Sequence, residues 1–182
     1  CIISGNSAND QGGALYNNGS NGISNPSLTN CIIYGNSTNN GQIYNAGATP
    51  TYSYSNIEGG ASNFGTDGGN NIDSDPLFVD MPDYNNAPTS EGDLHFYLGS
   101  PCIDAGLDSV NTQTHDLDGN ARIQGAAIDM GAYEGSGEPH PVYYVNAGRA
   151  DDNGDGSSWA TAKKYLQSGL ALNTSVGEIW VA

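Results

Sequence analysis

Short apolar runs alternate with polar turns along the first third of the chain, and the runs recur. Cys1-Ile2-Ile3-Ser4-Gly5-Asn6-Ser7 returns as Cys31-Ile32-Ile33-Tyr34-Gly35-Asn36-Ser37, an offset of 30 residues. Gly13-Ala14-Leu15-Tyr16-Asn17 returns as Gly41-Gln42-Ile43-Tyr44-Asn45, an offset of 28. Asn25-Pro26-Ser27-Leu28-Thr29 matches Thr49-Pro50-Thr51-Tyr52-Ser53, 24 residues on. The runs are β-branched or aromatic and lie between Asn, Gly, Ser and Pro, with no 3.6-residue period, so they predict short strands.

A unit of two or three such strands cannot bury its apolar face alone, but stacked units can. Each strand would pair in parallel with its counterpart one turn of chain away, ~4.8 Å up the stack. If Asn30 resets the alternation at a left-handed corner, Leu28, Cys31 and Ile33 point inward. Their counterparts are Cys1 and Ile3 before, and Tyr52, Ser55 and Ile57 after. The column Ile3/Ile33/Ile57 is then wholly apolar and Cys1/Cys31/Ser55 small throughout. The expected architecture is a parallel β-solenoid. Tyr54 stands where the next corner Asn would be, so the third coil is expected to be irregular. Cys1 falls inside the repeat, and the chain reads as a window cut from a longer one.

The Gly12-Gly13-Ala14-Leu15 and Gly35-Asn36-Ser37 elements resemble the short repeats of polymorphic outer-membrane and related bacterial surface proteins. These belong with the secreted right-handed parallel β-helix proteins of the pectate-lyase-like superfamily. Asn71-Ile72-Asp73-Ser74-Asp75-Pro76-Leu77-Phe78-Val79-Asp80 is similar to the close of a last coil in that group. Gly99-Ser100-Pro101-Cys102-Ile103-Asp104-Ala105-Gly106, then Asp116-Leu117-Asp118-Gly119-Asn120-Ala121-Arg122-Ile123 and Ile128-Asp129-Met130-Gly131-Ala132-Tyr133-Glu134, resemble its terminal region. The resemblance implies an all-β, right-handed parallel β-helix with a terminal cap region over residues 1–134.

Residues 135–141, Gly-Ser-Gly-Glu-Pro-His-Pro, read as a linker. Beyond it, Val142-Tyr143-Tyr144-Val145 and Gly177-Glu178-Ile179-Trp180-Val181-Ala182 read as strands. Thr161 to Leu172 reads as an amphipathic helix with Ala162, Tyr165, Leu166 and Leu170 on one face. This strand–helix–strand segment, 142–182, resembles the N-terminal cap of a following β-helix.

Composition narrows the chemistry. The chain has 182 residues, 4 Lys+Arg and 20 Asp+Glu, a formal charge of −16. All four cations are late, at Arg122, Arg149, Lys163 and Lys164. Phosphate backbones and anionic membrane faces need cations to bind, so neither is an expected partner. The 26 Gly and 22 Asn favour turns over helices.

Asp151-Asp152-Asn153-Gly154-Asp155-Gly156 fits the D-x-N-x-D-G start of a calcium loop. Asp151, Asn153 and Asp155 are therefore candidate ligands for Ca2+. The loop's bidentate Glu would fall on Ala162, and a polar turn ahead of a helix is the competing reading. Asp116-x-Asp118-Gly119-Asn120 and Asp73-x-Asp75 read as turn-capping carboxylates. A polysaccharide lyase needs a base and a cation beside the abstracted proton, and residues 1–121 hold no Arg or Lys. A hydrolase needs two carboxylates ~5–9.5 Å apart, and no pair stands out. Cys1, Cys31 and Cys102 read as small hydrophobes, and His95, His115 and His140 lack metal-ligand spacing.

The expected role is a non-catalytic structural or adhesive segment of a secreted or cell-surface bacterial protein, extracellular and with no membrane insertion. Its expected partners are further copies of itself, head-to-tail in a filament, or extracellular glycans met through exposed Tyr. The alternatives are a polysaccharide lyase or hydrolase fragment whose catalytic coils lie elsewhere, and a carbohydrate-binding module.

Overall fold

Tandem isoleucines set the central ladder of a computed structural model, which describes residues 1–20, 22, 24–37, 41–173 and 177–182. The chain divides into two compact units, Cys1–Glu138 and Pro139–Ala182. The first contains β1 (Ile2–Ile3), β2 (Leu15–Asn18), β3 (Ser27–Thr29), β4 (Ile32–Ile33), β5 (Ile43–Ala46), β6 (Thr51–Ser53), β7 (Asn56–Ile57) and β8 (Thr66–Asp67). It continues with β9 (Phe78–Asp80) and β10 (Asp93–Phe96).

Three parallel ladders run side by side in the repeats, in the orders β1-β4-β7, β2-β5 and β3-β6-β8. Ile3 pairs with Ile33 and Ile33 with Ile57; Leu28 pairs with Tyr52. The inward column drawn from the repeat is present. Ile33, Ile43, Tyr52, Ile57 and Ala61 form one buried cluster, with Ile3, Leu15 and Leu28 packed against it.

The corner is present too. Asn30 has φ 55, Tyr54 φ 48 and Asn70 φ 56. Tyr54 thus keeps the left-handed bend instead of making the third turn irregular. Its amide N–H donates to Gly69 O, and the flanking Ser55 and Asn56 are buried; pairing on both sides imposes a conformation that tyrosine alone disfavours.

The right-handed parallel β-helix itself does not form. The described strands make five sheets of two or three strands each, one of them antiparallel, with a single α-helix and no solenoid or closed sheet. The turns of chain shorten too fast for a constant period. Ile2 pairs with Ile32 after 30 residues, Ile32 with Asn56 after 24, and Asn56 with Ile72 after 16. The chain then leaves the ladders and β9 pairs antiparallel with β10, Phe96 against Phe78.

Residues 76–134 close the other side of the central sheet. Ile32 lies in a second buried cluster with Phe78, Phe96, Cys102 and Met130, and Ile2 packs against it. Both faces of the sheet are thus dry, which is why each repeat carries two adjacent isoleucines where a half-solvated strand would alternate. All three cysteines are free thiols, Cys31 and Cys102 buried and Cys1 exposed.

The second unit pairs β11 (Val142–Val145) in parallel with β12 (Glu178–Val181), Tyr144 opposite Trp180. Its helix α1 is shorter than the pattern predicts, Leu166–Leu172, and it packs by a different face. Buried Gly169 lies against Val145 and Ile179; a Cβ there would come within 2.4 Å of Val145 Cγ2. Tyr165, Leu166 and Leu170 are exposed. With the β-helix goes the reading of this unit as the cap of a following one.

Candidate functional site

The most concentrated chemistry in the first unit sits on β10. Strand alternation puts Asp93 and His95 on one face. Asp93 Oδ1 accepts from the His95 backbone N–H at 3.0 Å and meets ring Nδ1 at 2.5 Å. The other ring nitrogen, Nε2, lies 2.6 Å from Asp118 Oδ2. Asp118 is held by a turn that Asp116 organises, its Oδ1 accepting from the N–H groups of Asp118 and Asn120 and its Oδ2 from that of Glu134. The Tyr133 ring lies over the imidazole, centroids 4.1 Å apart.

This clasp borders a cleft of about 580 Å³ whose walls include Ser4, Asn6, Glu91, Asp93, His95 and Tyr133. Burial pulls the His95 pKa down, but hydrogen bonds and charges from Asp118 and Asp93 outweigh it and raise the pKa above 6.5. Burial lifts Asp93, and the His95 backbone and ring hydrogen bonds bring it below 3.8. Both imidazole nitrogens are occupied by carboxylates. The ring cannot accept a proton from a substrate without releasing one of them, so the geometry suits a clasp better than a general base.

Arg122 is the only Lys or Arg of the first unit, and the fold consumes it. It is 8% exposed, forms an ion pair with Glu134 through Nη1, and donates through Nη2 to Gly131 O at 2.9 Å. Burial lowers its pKa. Burial also raises that of neighbouring Asp129, whose carboxylate accepts from the Asp104 and Gly135 N–H groups. No mobile cation is left here for carbanion or oxyanion stabilisation.

In the second unit the candidate Ca2+ ligands serve local turns. Asp151 Oδ1 accepts from Asn153 N, and Asp155 Oδ1 from Ser157 N and Oγ. Hydrogen bonds from Thr161 and Ser157 hold Asp155 down at about 2. Asp152, between the candidates, anchors the approach to α1 by accepting from Lys164 N, Tyr165 N and Ser168 Oγ. Among the described residues no group of three or more His, Cys, Asp or Glu side chains is placed to hold a metal ion.

The sequence pointed at neither the His95 clasp nor the aromatic group formed by Tyr144, Trp159 and Trp180. Asp93-x-His95 on a strand was the one available signal for the first; Asp118 lies 23 residues away and joins only through the fold. His115 bonds Thr114 instead. The chain matches no protein-family model, no curated protein and no solved structure.

Proposed function

We propose that the chain is a non-catalytic structural or adhesive segment of a secreted or cell-surface protein, and that its repeat face associates with further copies of itself. One observation carries this reading: β1, β2 and β3 are all end strands of their ladders, and all belong to the first repeat. An end strand presents unpaired backbone groups to any matching strand. The side-chain columns end on the same side. Tyr16 stacks on Tyr44 at 5.4 Å, Asn17 Nδ2 donates to Asn45 Oδ1 at 2.8 Å, and Asn6 Nδ2 to Asn36 Oδ1 at 2.9 Å. A strand with Tyr and Asn at those positions would extend each column by one rung. A contact between unlike ends propagates, which is the head-to-tail filament.

The occupied His95 nitrogens and the buried Arg122 support a non-catalytic role for this segment. The test is mass against concentration by light scattering, with electron microscopy of the concentrated protein. Growing assemblies are expected for the natural chain. Tyr16→Lys, which puts a charge on the exposed edge strand, is expected to stay monomeric. A natural chain that remains monomeric at every concentration would sink the proposal.

A further inference from the structure

We infer that the second unit carries a binding face for a neutral, β-1,4-linked glucan-type saccharide, built from Trp159, Tyr144 and Trp180. The inference gives a ligand to the adhesive half of the reading above and rests on it. Cross-strand register sets Tyr144 beside Trp180, and the short turn Trp159–Thr161 brings the second indole to the same tyrosine. The ring centroids are 4.8 Å apart for Tyr144–Trp159 and 5.8 Å for Tyr144–Trp180, at 67° and 70°. Neither indole is stacked on a protein ring, and they are 43% and 49% exposed. Helix α1 covers the opposite face, through Gly169 against Val145 and Ile179. Large amphipathic rings left wet and fixed in place are what a ligand with flat apolar faces and a hydroxyl rim requires.

The rim chemistry agrees. Glu178 Oε2 accepts from Trp180 Nε1 at 2.9 Å, which fixes the indole and sets a carboxylate acceptor beside it for a sugar hydroxyl. The whole chain carries −16, and the second unit adds Asp151, Asp152 and Asp155 near the start of this segment, so a polyuronate is repelled. An uncharged chain of equatorially substituted pyranoses meets no such penalty. Its axial C–H groups give it an apolar face on both sides.

Both tryptophans of the chain belong to this group, so intrinsic tryptophan fluorescence reports on this face alone. Titration of the full chain with cellopentaose is expected to give a saturable emission shift and protection from acrylamide quenching, with no response to oligogalacturonate. Trp159→Ala and Trp180→Ala should each weaken binding about three- to tenfold, the loss of one ring contact. Glu178→Gln keeps all three rings and should weaken it less. No saturable change at millimolar cellopentaose overturns the inference. So does binding by calorimetry that survives loss of both indoles, or quenching protection that follows protein concentration instead of sugar, which would mean a second copy covers the rings. Light scattering reads self-association separately, so failure of one reading leaves the other standing.

Discussion

Asn30 grips the peptide of Leu107 from both sides: its Nδ2 donates to Leu107 O at 3.0 Å and its Oδ1 accepts from Leu107 N at 2.7 Å. Residues 77 positions apart in sequence are thereby joined at the corner where the repeat turns. The same residue takes the left-handed φ of 55, so one asparagine supplies both the bend and the tie between the ladders and the 99–134 segment.

Replacing it separates the two contributions. Asn30→Gly keeps the bend and loses the two hydrogen bonds, at a cost of about 1–3 kcal/mol. Asn30→Ala loses both, and the left-handed conformation adds ~1–2 kcal/mol for a residue with a Cβ. Urea unfolding followed by far-UV circular dichroism measures the order, Asn30 over Gly over Ala. Equal stabilities for the two variants would mean the bend carries no strain.

Tyr52 is fully buried and its hydroxyl has no hydrogen-bond partner, and burial pushes its pKa up to about 12. Its ring fills the position that Leu28 fills one turn earlier. Tyr52→Phe keeps the ring and removes an unsatisfied polar group that costs ~1–3 kcal/mol. The variant should be more stable by about 1 kcal/mol in urea. A loss of stability would mean the hydroxyl has a partner, and the inward column would need redrawing at that rung.

The ladder register was legible because it rests on local repetition: Ile3, Ile33 and Ile57 announce themselves by what surrounds them. The corner at Asn30 was legible for the same reason, and Tyr54 was misjudged because intrinsic preference was weighed without the pairing on either side of it. The β-helix was wrong for a reason also present in the sequence, since offsets of 30 and then 24 already shrink. What could not be read is everything joined at a distance: the sheet's second dry face against Phe78 and Phe96, the His95 clasp, and Arg122 with Glu134. The helix face was misassigned because a glycine carries no hydrophobic signal, yet Gly169 is where α1 comes closest to the sheet.

Arg122 and Glu134 form a buried ion pair with Asp129 beside it. Arg122→Met removes the cation and leaves buried carboxylates unmatched, which costs ~3–5 kcal/mol. Adding Glu134→Leu to that background should recover part of the loss, because the second apolar partner removes one uncompensated charge. A double-mutant cycle by chemical denaturation gives the coupling. Additive losses would show that the two side chains act independently.

The His95 clasp makes the first unit's stability depend on pH in a defined direction. The folded protein holds the ring proton more tightly than the unfolded chain does, because Asp118 and Asp93 outweigh burial. The clasp therefore contributes fully below about pH 6.5 and fades as pH rises through the higher folded value. The Asp93 contribution runs the other way: its folded pKa lies below 3.8, so it is present above that value and lost as pH falls through the lower folded one. Tyr133 and Asp116 face the same cluster but keep their charge states across this window. Stability should be greatest between about pH 4 and pH 6.5 and decline toward pH 8 by less than ~1 kcal/mol, since the side chains are 37–47% exposed and screened. His95→Gln should flatten that alkaline decline while leaving the acid side in place. Imidazole resonances followed by NMR should place the His95 midpoint above that of His115; a midpoint at or below it would leave the clasp without a role in the pH response.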